Sequence, residues 1–406
     1  MAKLAPALLV LIATASLLGG CATPAQPLAA ASSRAADMLA HPPGADVPPS
    51  GATVTFTLYL HRMTHEVYPG ANMTMWGFSL SDDPATATVP GPVLRVREGD
   101  RVVVTFVSTV PAFDHTIHWH GVHVPWRQDG VPYVTQDPIP AGQEGGYEFI
   151  AEPAGTMWYH CHVDTQHHLD MGMYGALIIE PRDPASEPAY DKEAILMLDE
   201  MDRYHLESGT PVVGNQPQSG DAFDLLQYGE RTAQDVVGRN QVVQQPITGT
   251  PLRPARDWYP VTYLPYHADL NTFVINGHAF PHTEPIFLGE GETLRLRLIN
   301  AGDQLHAMHL HGHHMLVTHK DGVLLASPYW ADTIAIAPGE RYDAYVRGTN
   351  PGIWDFHDHV NSNLQNDHIH PGGMMTLLVY EQYRDEVGHG HAGHGRYAGD
   401  YVGLRR

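Results

Sequence analysis

The chain has 406 residues, and its 45 acidic side chains outnumber the 23 lysines and arginines, giving a formal net charge of −22. This charge argues against nucleic acid or anionic lipid as a partner, because both would repel the chain. An apolar content of 43% indicates a folded protein, and two cysteines exclude a disulfide-rich scaffold or a four-cysteine zinc site. The 28 histidines point instead to metal bound by imidazole.

Residues 1–20 have the pattern of an export signal, with Lys3, an apolar stretch and the ending Leu17-Leu-Gly-Gly before Cys21. That ending resembles a bacterial lipoprotein signal, in which an acylated cysteine anchors a soluble body to a membrane. Ordinary secretion is the alternative. Residues 21–50 are rich in alanine and proline and predict a tether. We therefore expect an exported protein, periplasmic or at the cell surface, that meets a membrane only through this anchor.

From residue 51 onwards the apolar pattern has a period of two. Val54, Phe56, Leu58 and Leu60 alternate with polar residues, as in a half-buried strand. Similar runs follow along the chain, punctuated by 33 prolines and 39 glycines, without a long amphipathic helical stretch. The sequence therefore predicts an all-β fold built from antiparallel sandwiches.

An internal repeat divides the chain. The segment His115-Thr-Ile-His-Trp-His-Gly121 recurs as His306-Ala-Met-His-Leu-His-Gly312. Each copy is followed by a His-x-His triplet, at 160–162 and at 357–359. Each triplet is then followed by a histidine with a methionine five positions later: His168 with Met173, and His370 with Met375.

The repeat predicts two homologous domains, residues 51–183 and 189–383. The pattern weakens between residues 202 and 272, which we interpret as a long excursion within the second domain. Residues 384–406 form a His/Gly-rich tail that we expect to be disordered.

The His-x-His pairs are suited to binding neighbouring metal ions. Residues i and i+2 of a strand face the same side, so each pair presents two imidazoles together. A cluster of three metals with open positions for a small ligand could use all eight imidazoles. The four pairs are His118 with His120, His160 with His162, His309 with His311, and His357 with His359.

Cys161 lies between the two histidines of its pair and projects to the opposite face of the strand. There it can join His115, His168 and Met173. Two imidazoles, one thiolate and a weak axial thioether define a blue-copper electron-transfer site. An electron accepted there would need only the short covalent path through a flanking histidine to reach the cluster.

Two of these ligands have competitors. His167 competes with His168, and Met171 competes with Met173. We prefer His168 and Met173 because their spacing matches that of the second repeat.

The second repeat lacks the thiolate. Asp358 occupies the position of Cys161, so no copper–thiolate bond can form there. We interpret His306, His370 and Met375 as remnants of a lost site, where weak binding of an adventitious metal is still possible.

These compound motifs resemble those of the multicopper oxidases, and the length is similar to that of small, two-domain bacterial laccases with the blue copper in the first domain. The resemblance covers roughly residues 50–383. It implies two cupredoxin-like Greek-key β-sandwich domains. It also implies four copper ions per subunit, namely one type 1, one type 2 and two type 3.

By that resemblance, His118 and His309 would hold the type 2 copper. Two-domain members place the cluster between the first domain of one subunit and the second domain of its neighbour, which implies a homotrimer here. The type 3 pair would be held by the six other motif histidines: His120, His160, His162, His311, His357 and His359.

Reduction of dioxygen consumes protons, so a carboxylate is expected beside the cluster. Asp129 matches in position an acidic residue that small laccases place there, and a residue of an ordinary Asp-Gly turn is the equally weighted alternative. Asp114, before His115, is a weaker candidate for orienting a ligand.

The leading functional prediction is a laccase-like oxidase. A phenol or aromatic amine would give one electron at a time through the exposed edge of His168, and four electrons would reduce O2 to water. A copper nitrite reductase is the second candidate, but it needs only three histidines at its catalytic copper. A third is a copper-binding or electron-transfer lipoprotein, which has no need of eight clustered imidazoles.

Overall fold

A computed structural model describes residues 49–110, 113–202, 270–366, 369–387 and 402–404. They belong to one compact unit, Asp46–Arg406. The predicted export signal, Cys21 and nearly all of the tether lie outside the described residues, as does most of the excursion.

The first half of the described chain forms two four-stranded sheets, with strand orders β2-β1-β4-β6 and β3-β8-β7-β5. Alternation in β4 explains the packing, because Val102, Val104 and Phe106 are buried between less buried neighbours. The strands are β1 (Thr53–Tyr68), β2 (Ala71–Ser79), β3 (Leu94–Arg97), β4 (Arg101–Ser108), β5 (His118–His120), β6 (Glu144–Ile150), β7 (Gly155–His160) and β8 (Tyr174–Glu180), and one short helix, α1, spans Thr165–Asp170.

The second half repeats the plan with larger sheets, ordered β10-β9-β12-β17-β14-β15, with β20 beside β9, and β11-β19-β18-β13-β16. This architecture confirms the predicted all-β fold. The strands are β9 (Lys192–Met201), β10 (Thr272–Ile275), β11 (Ile286–Leu288), β12 (Thr293–Asn300), β13 (His306–Leu310), β14 (Met315–Lys320), β15 (Val323–Ala331), β16 (Thr333–Ile336), β17 (Arg341–Arg347), β18 (Ile353–Asp358), β19 (Met375–Tyr380) and β20 (Val402–Leu404).

Strand β9 joins the two halves, and all ten of its residues are buried. Ala194 and Leu196 face the core of the second half, whereas Ile195 and Met197 belong to the core of the first half. A strand buried on both faces has a continuous apolar run instead of alternation. The apolar surfaces of the two halves are therefore continuous at this strand.

A largely buried polar network also crosses between the halves. The Thr156 hydroxyl donates to Asp343 at 2.5 Å, and Arg297 donates to the same hydroxyl at 2.7 Å. Glu193 accepts from Arg297 at 2.6 Å and also pairs with Arg95 of β3. Burial by itself raises the pKa of Glu193. The charges of the two guanidinium groups outweigh this effect and lower the pKa to about 2.

Part of the C-terminal segment forms a strand, β20. Val402–Leu404 pairs antiparallel with β9, so the expected disorder of the tail does not extend to this strand. Within the described residues, no helix has the length and apolarity needed to span a membrane.

Candidate metal centres

Cys161 has two imidazoles beside its sulfur. The ligand atoms of His115, Cys161 and His168 lie within 4.8 Å of one another. Sγ is 3.1 Å from Nδ1 of His168 and 3.8 Å from Nδ1 of His115. All three side chains are buried. A thiol and two imidazoles on one buried point form the donor set that copper favours in electron-transfer sites.

Helix α1 selects between the competing histidines. It begins after Asp164, which has a left-handed φ of 45°, and it turns His168 towards Cys161. Nδ1 of His167 instead lies 3.5 Å from Oδ2 of Asp164. The structure therefore brings His168, and not His167, to the sulfur.

Both candidate methionines lie close to the site and are buried. The Met173 carbonyl accepts from the Cys161 amide at 3.1 Å, and the Met173 amide donates to the His168 carbonyl at 3.0 Å. The Met171 carbonyl instead accepts from the Trp76 amide at 2.7 Å. These contacts place the Met173 backbone against both Cys161 and His168, while its thioether remains a predicted ligand.

Burial sets the protonation of this group. Desolvation raises the pKa of Cys161 to about 12 and lowers that of His115 to about 3. Desolvation also lowers the pKa of His168. Without a cation the sulfur is therefore a neutral thiol between neutral imidazoles. Since a metal binds the thiolate, metal binding here releases a proton.

An aromatic cover closes the site. The Trp76 ring lies 5.2 Å from that of His168 and 5.7 Å from that of His115, and Phe113 lies 5.9 Å from His168. Only 1% of His168 is exposed. The expectation of an exposed His168 edge is therefore wrong, because these rings fill the space over the imidazole.

Four histidines at the end of β5 and β7 form the first quartet: His118, His120, His160 and His162. His118 is paired directly with His160 across the sheet. The ring of His118 lies 5.2–5.5 Å from the other three rings. His160 donates from Nδ1 to the Cys161 carbonyl at 2.8 Å, which leaves Nε2 for a metal. Desolvation, followed by the Arg341 charge, lowers the pKa of His120 to about 3.

Asp129 lies against this quartet. Its carbonyl accepts from Nδ1 of His118 at 2.7 Å, and its Oδ1 lies 3.4 Å from the same nitrogen. Gly130 permits the close turn, because it has a φ of +79° and a Cβ there would lie 1.9 Å from the Ile117 carbonyl oxygen. The Asp-Gly turn thus places Asp129 beside His118, a predicted ligand, and the two interpretations of Asp129 are compatible. Asp114, by contrast, is exposed.

The second quartet comprises His309, His311, His357 and His359. His309 is paired with His357 across β13 and β18, as His118 is with His160. The His309 ring lies 4.8–5.8 Å from the other three. Its Nδ1 donates to the Asp332 carbonyl at 2.9 Å, and Nδ1 of His357 donates to the Asp358 carbonyl at 2.8 Å. Nε2 of His309 is thereby left for a metal, whereas Nε2 of His357 lies 3.0 Å from Nε2 of His311.

The quartets are separate within the described part of the chain, where no ring contact joins them. His120 instead faces the turn before β17, since a Cβ on Gly339 would lie 3.1 Å from its Cε1. Each quartet is therefore half of the eight-imidazole set.

The expected remnant site of the second half is filled by an ionic group. His306 lies between two carboxylates, with Nδ1 at 2.8 Å from Asp358 and Nε2 at 2.8 Å from Glu200. Burial alone would lower the pKa of His306, but these hydrogen bonds raise it to about 9. His370 is exposed and donates to the Leu364 carbonyl at 2.8 Å.

Glu200 and Trp76 contact the site without having been predicted from the sequence. The sequence signal for Glu200 is the acidic pair at 199–200, which directly follows the apolar run 194–198. Trp76 left none, because β2 approaches the site only in the folded chain.

Family models described as multicopper oxidase match residues 85–184 and 255–383. The crystal structure of blue copper oxidase from Nitrosomonas europaea is 31% identical, with a TM-score of 0.65, and the match covers 87% of this chain and 97% of that one. Multicopper oxidase MmcO of Mycobacterium tuberculosis is 30% identical over 74% of this chain, and Laccase-7 of rice (Oryza sativa subsp. japonica) is 31% identical over 64%. The chain spans 53% and 39% of the lengths of these two relatives.

Proposed function

The chain belongs to the multicopper oxidase family, and from that premise we propose that it is a laccase-like enzyme for phenols or aromatic amines. When bound, copper supplies a one-electron acceptor beside Cys161 and a cluster that reduces O2 to water. The observation that carries the proposal is that Cys161 lies between His160 and His162, while its side chain meets His115 and His168.

The chain links the two donor sets covalently. Cys161 is bonded through its backbone to two members of the first quartet, and the His160 ring also donates to the Cys161 carbonyl. The thiol and both imidazoles are buried, so water does not reach the sulfur. The residues thereby hold both donor sets in a fixed relation, a few bonds apart.

Asp129 is positioned to transfer protons between solvent and the first quartet. Its side chain is 32% exposed, and its Oδ1 lies beside the His118 ring. A carboxylate in contact with both water and the quartet can take a proton from solvent at Oδ1 and release it towards O2.

The reductant meets the aromatic cover instead of an imidazole edge. Phe113 is half-buried and Trp76 is buried, so a small aromatic donor would rest against Phe113. Such a contact selects for ring shape and oxidation potential more than for individual hydrogen bonds, because the cover offers mainly apolar surface.

We further propose a homotrimer in which the first quartet of one subunit meets the second quartet of its neighbour. Mixing His118→Ala and His309→Ala subunits tests this arrangement. If the quartets combine between chains, refolded 1:1 mixtures regain about one quarter of wild-type activity, the random fraction of interfaces with two intact quartets. If they combine within one chain, the mixture stays inactive.

Export and lipid anchoring through Cys21 remain proposals. Expression of the full chain with a radiolabelled fatty acid should label the wild type and not Cys21→Ala, and the variant should leave the membrane fraction. Ordinary secretion predicts no label on either protein.

Copper content, absorption and oxygen uptake test the enzyme itself. The proposal expects about four copper ions per chain, an intense visible thiolate-to-copper band and oxygen uptake driven by phenols. One copper per chain without oxygen uptake would support the electron-transfer alternative. Turnover of nitrite without oxygen would support the reductase, which the family comparisons do not favour.

A further inference from the structure

We propose that Glu200, His306 and Asp358 form a metal-free triad that positions the second quartet, in place of the copper site of the first half. This inference rests on the proposed function. Glu200, His306 and Asp358 are all buried, and His306 and Asp358 occupy the positions of His115 and Cys161 in the repeat.

The triad leaves no ring nitrogen of His306 for a metal. Both ring nitrogens of His306 are hydrogen-bonded to carboxylate oxygens at 2.8 Å. In the first half the corresponding Nδ1 of His115 points to a sulfur 3.8 Å away. The raised pKa of His306 makes it an imidazolium at neutral pH, so a positive charge fixed in the chain occupies this position.

The carboxylates are themselves held by backbone amides. Oε1 of Glu200 accepts from the amides of Asp303 and Gln304, both at 2.6 Å. Oδ1 of Asp358 accepts from the amide of Ala307 at 2.9 Å and from that of Val360 at 3.0 Å. These bonds satisfy the charges that burial would otherwise make costly.

Asp358 connects the two strands that carry the second quartet. It lies between His357 and His359, and its bond to Ala307 ties the end of β18 to the beginning of β13, which carries His309. The His359 amide also donates to the Ala307 carbonyl at 2.8 Å. The triad therefore fixes the spacing of the quartet before any metal binds.

The test compares His306→Gln and Glu200→Gln with His65→Gln, a buried histidine that is bonded to the Gly277 carbonyl and whose ring contacts His278 and no quartet histidine. Glu200→Gln keeps the shape and removes one charge, so it serves if His306→Gln folds poorly. Two measurements are made: hydrogen exchange of residues 353–366 in copper-free full-length protein, and copper content with absorption after loading.

We expect exchange of that segment to become about tenfold faster in the triad variants and unchanged in His65→Gln. After loading, the triad variants should keep the visible thiolate band while copper falls from about four towards one ion per chain. Unchanged local exchange would overturn the inference. Equal loss of the visible band and faster exchange throughout would also overturn it, by showing a general structural role.

Metal binding at the triad is the remaining outcome. Wild-type protein that binds an additional copper, lost in His306→Gln, would overturn the inference by making His306 a ligand. The proposed function and the proposed role of the triad can be contradicted independently. If wild-type protein binds no cluster, the enzyme proposal fails, while exchange in copper-free protein still reports on the triad.

Discussion

The two halves carry the same arrangement of four histidines, but the side chains behind the histidines differ. His118 is paired with His160 as His309 is with His357, and the ring spacings agree within about 1 Å. Behind the first quartet lies Cys161, with soft, neutral donors that suit a cation. Behind the second lies an imidazolium between two carboxylates.

The same fold position therefore holds a thiol with two imidazoles in one half and a network of charged groups in the other. A single change from thiol to carboxylate would leave an unpaired buried charge, which costs several kcal/mol. The second half compensates with His306 and with the amides around Asp358. The difference between the two positions therefore involves a network and not one residue.

The largest expected effect comes from substitutions at the two equivalent positions, Cys161 and Asp358. Cys161→Ser should abolish the visible band and lower phenol oxidation by roughly 10³-fold or more, because no thiolate remains. Asp358→Cys should not create a second visible band, since His306 stays bonded to Glu200 and His370 is exposed. Absorption spectra of copper-loaded proteins check both. A second band in Asp358→Cys would show that the position still accepts copper.

Asp129→Asn tests whether the carboxylate beside the first quartet supplies protons. Removing the carboxylate should lower kcat by about 10²-fold through slower proton supply, while the visible band stays. Asp114→Asn is the matched control and should change kcat by less than about twofold. Steady-state oxygen uptake against pH measures both, and an unaltered Asp129→Asn profile would contradict the proton role.

Glu193 tests whether the halves behave as one unit. Glu193→Gln should lower the free energy of unfolding by about 3 kcal/mol, because Arg297 and Arg95 lose a buried partner. The folded pKa of about 2 lies below the usual 4.5, so this stabilisation is complete above 4.5 and is lost as the pH falls towards 2. Denaturant unfolding at pH 7 and pH 3 should show the wild type and variant converging. A constant difference would contradict the coupling.

The smallest effect concerns the cover over His168. Phe113→Ala should lower kcat/KM for small phenols by about threefold, because the donor loses the ring against which it rests. The visible band should remain, since Phe113 is not a ligand. A higher kcat/KM with an unchanged spectrum would instead show that Phe113 keeps the donor away from the imidazole.

The sequence by itself determined the strand pattern, the repeat and the donor atoms. A period of two in the apolar residues is enough to predict β-sandwiches, and His-x-His on a strand fixes which side chains share a face. The choice of His168 over His167 was also available, because the second repeat carries the same spacing. These features depend on local geometry, which the order of residues encodes directly.

Tertiary structure alone decided the surroundings of those donors. Trp76 comes from β2 and covers His168 from far along the chain, and Glu200 reaches His306 from β9. Such contacts depend on how sheets stack, and burial then sets their charge. The same histidine position is therefore neutral at His115 and positively charged at His306, a difference that no local pattern contains.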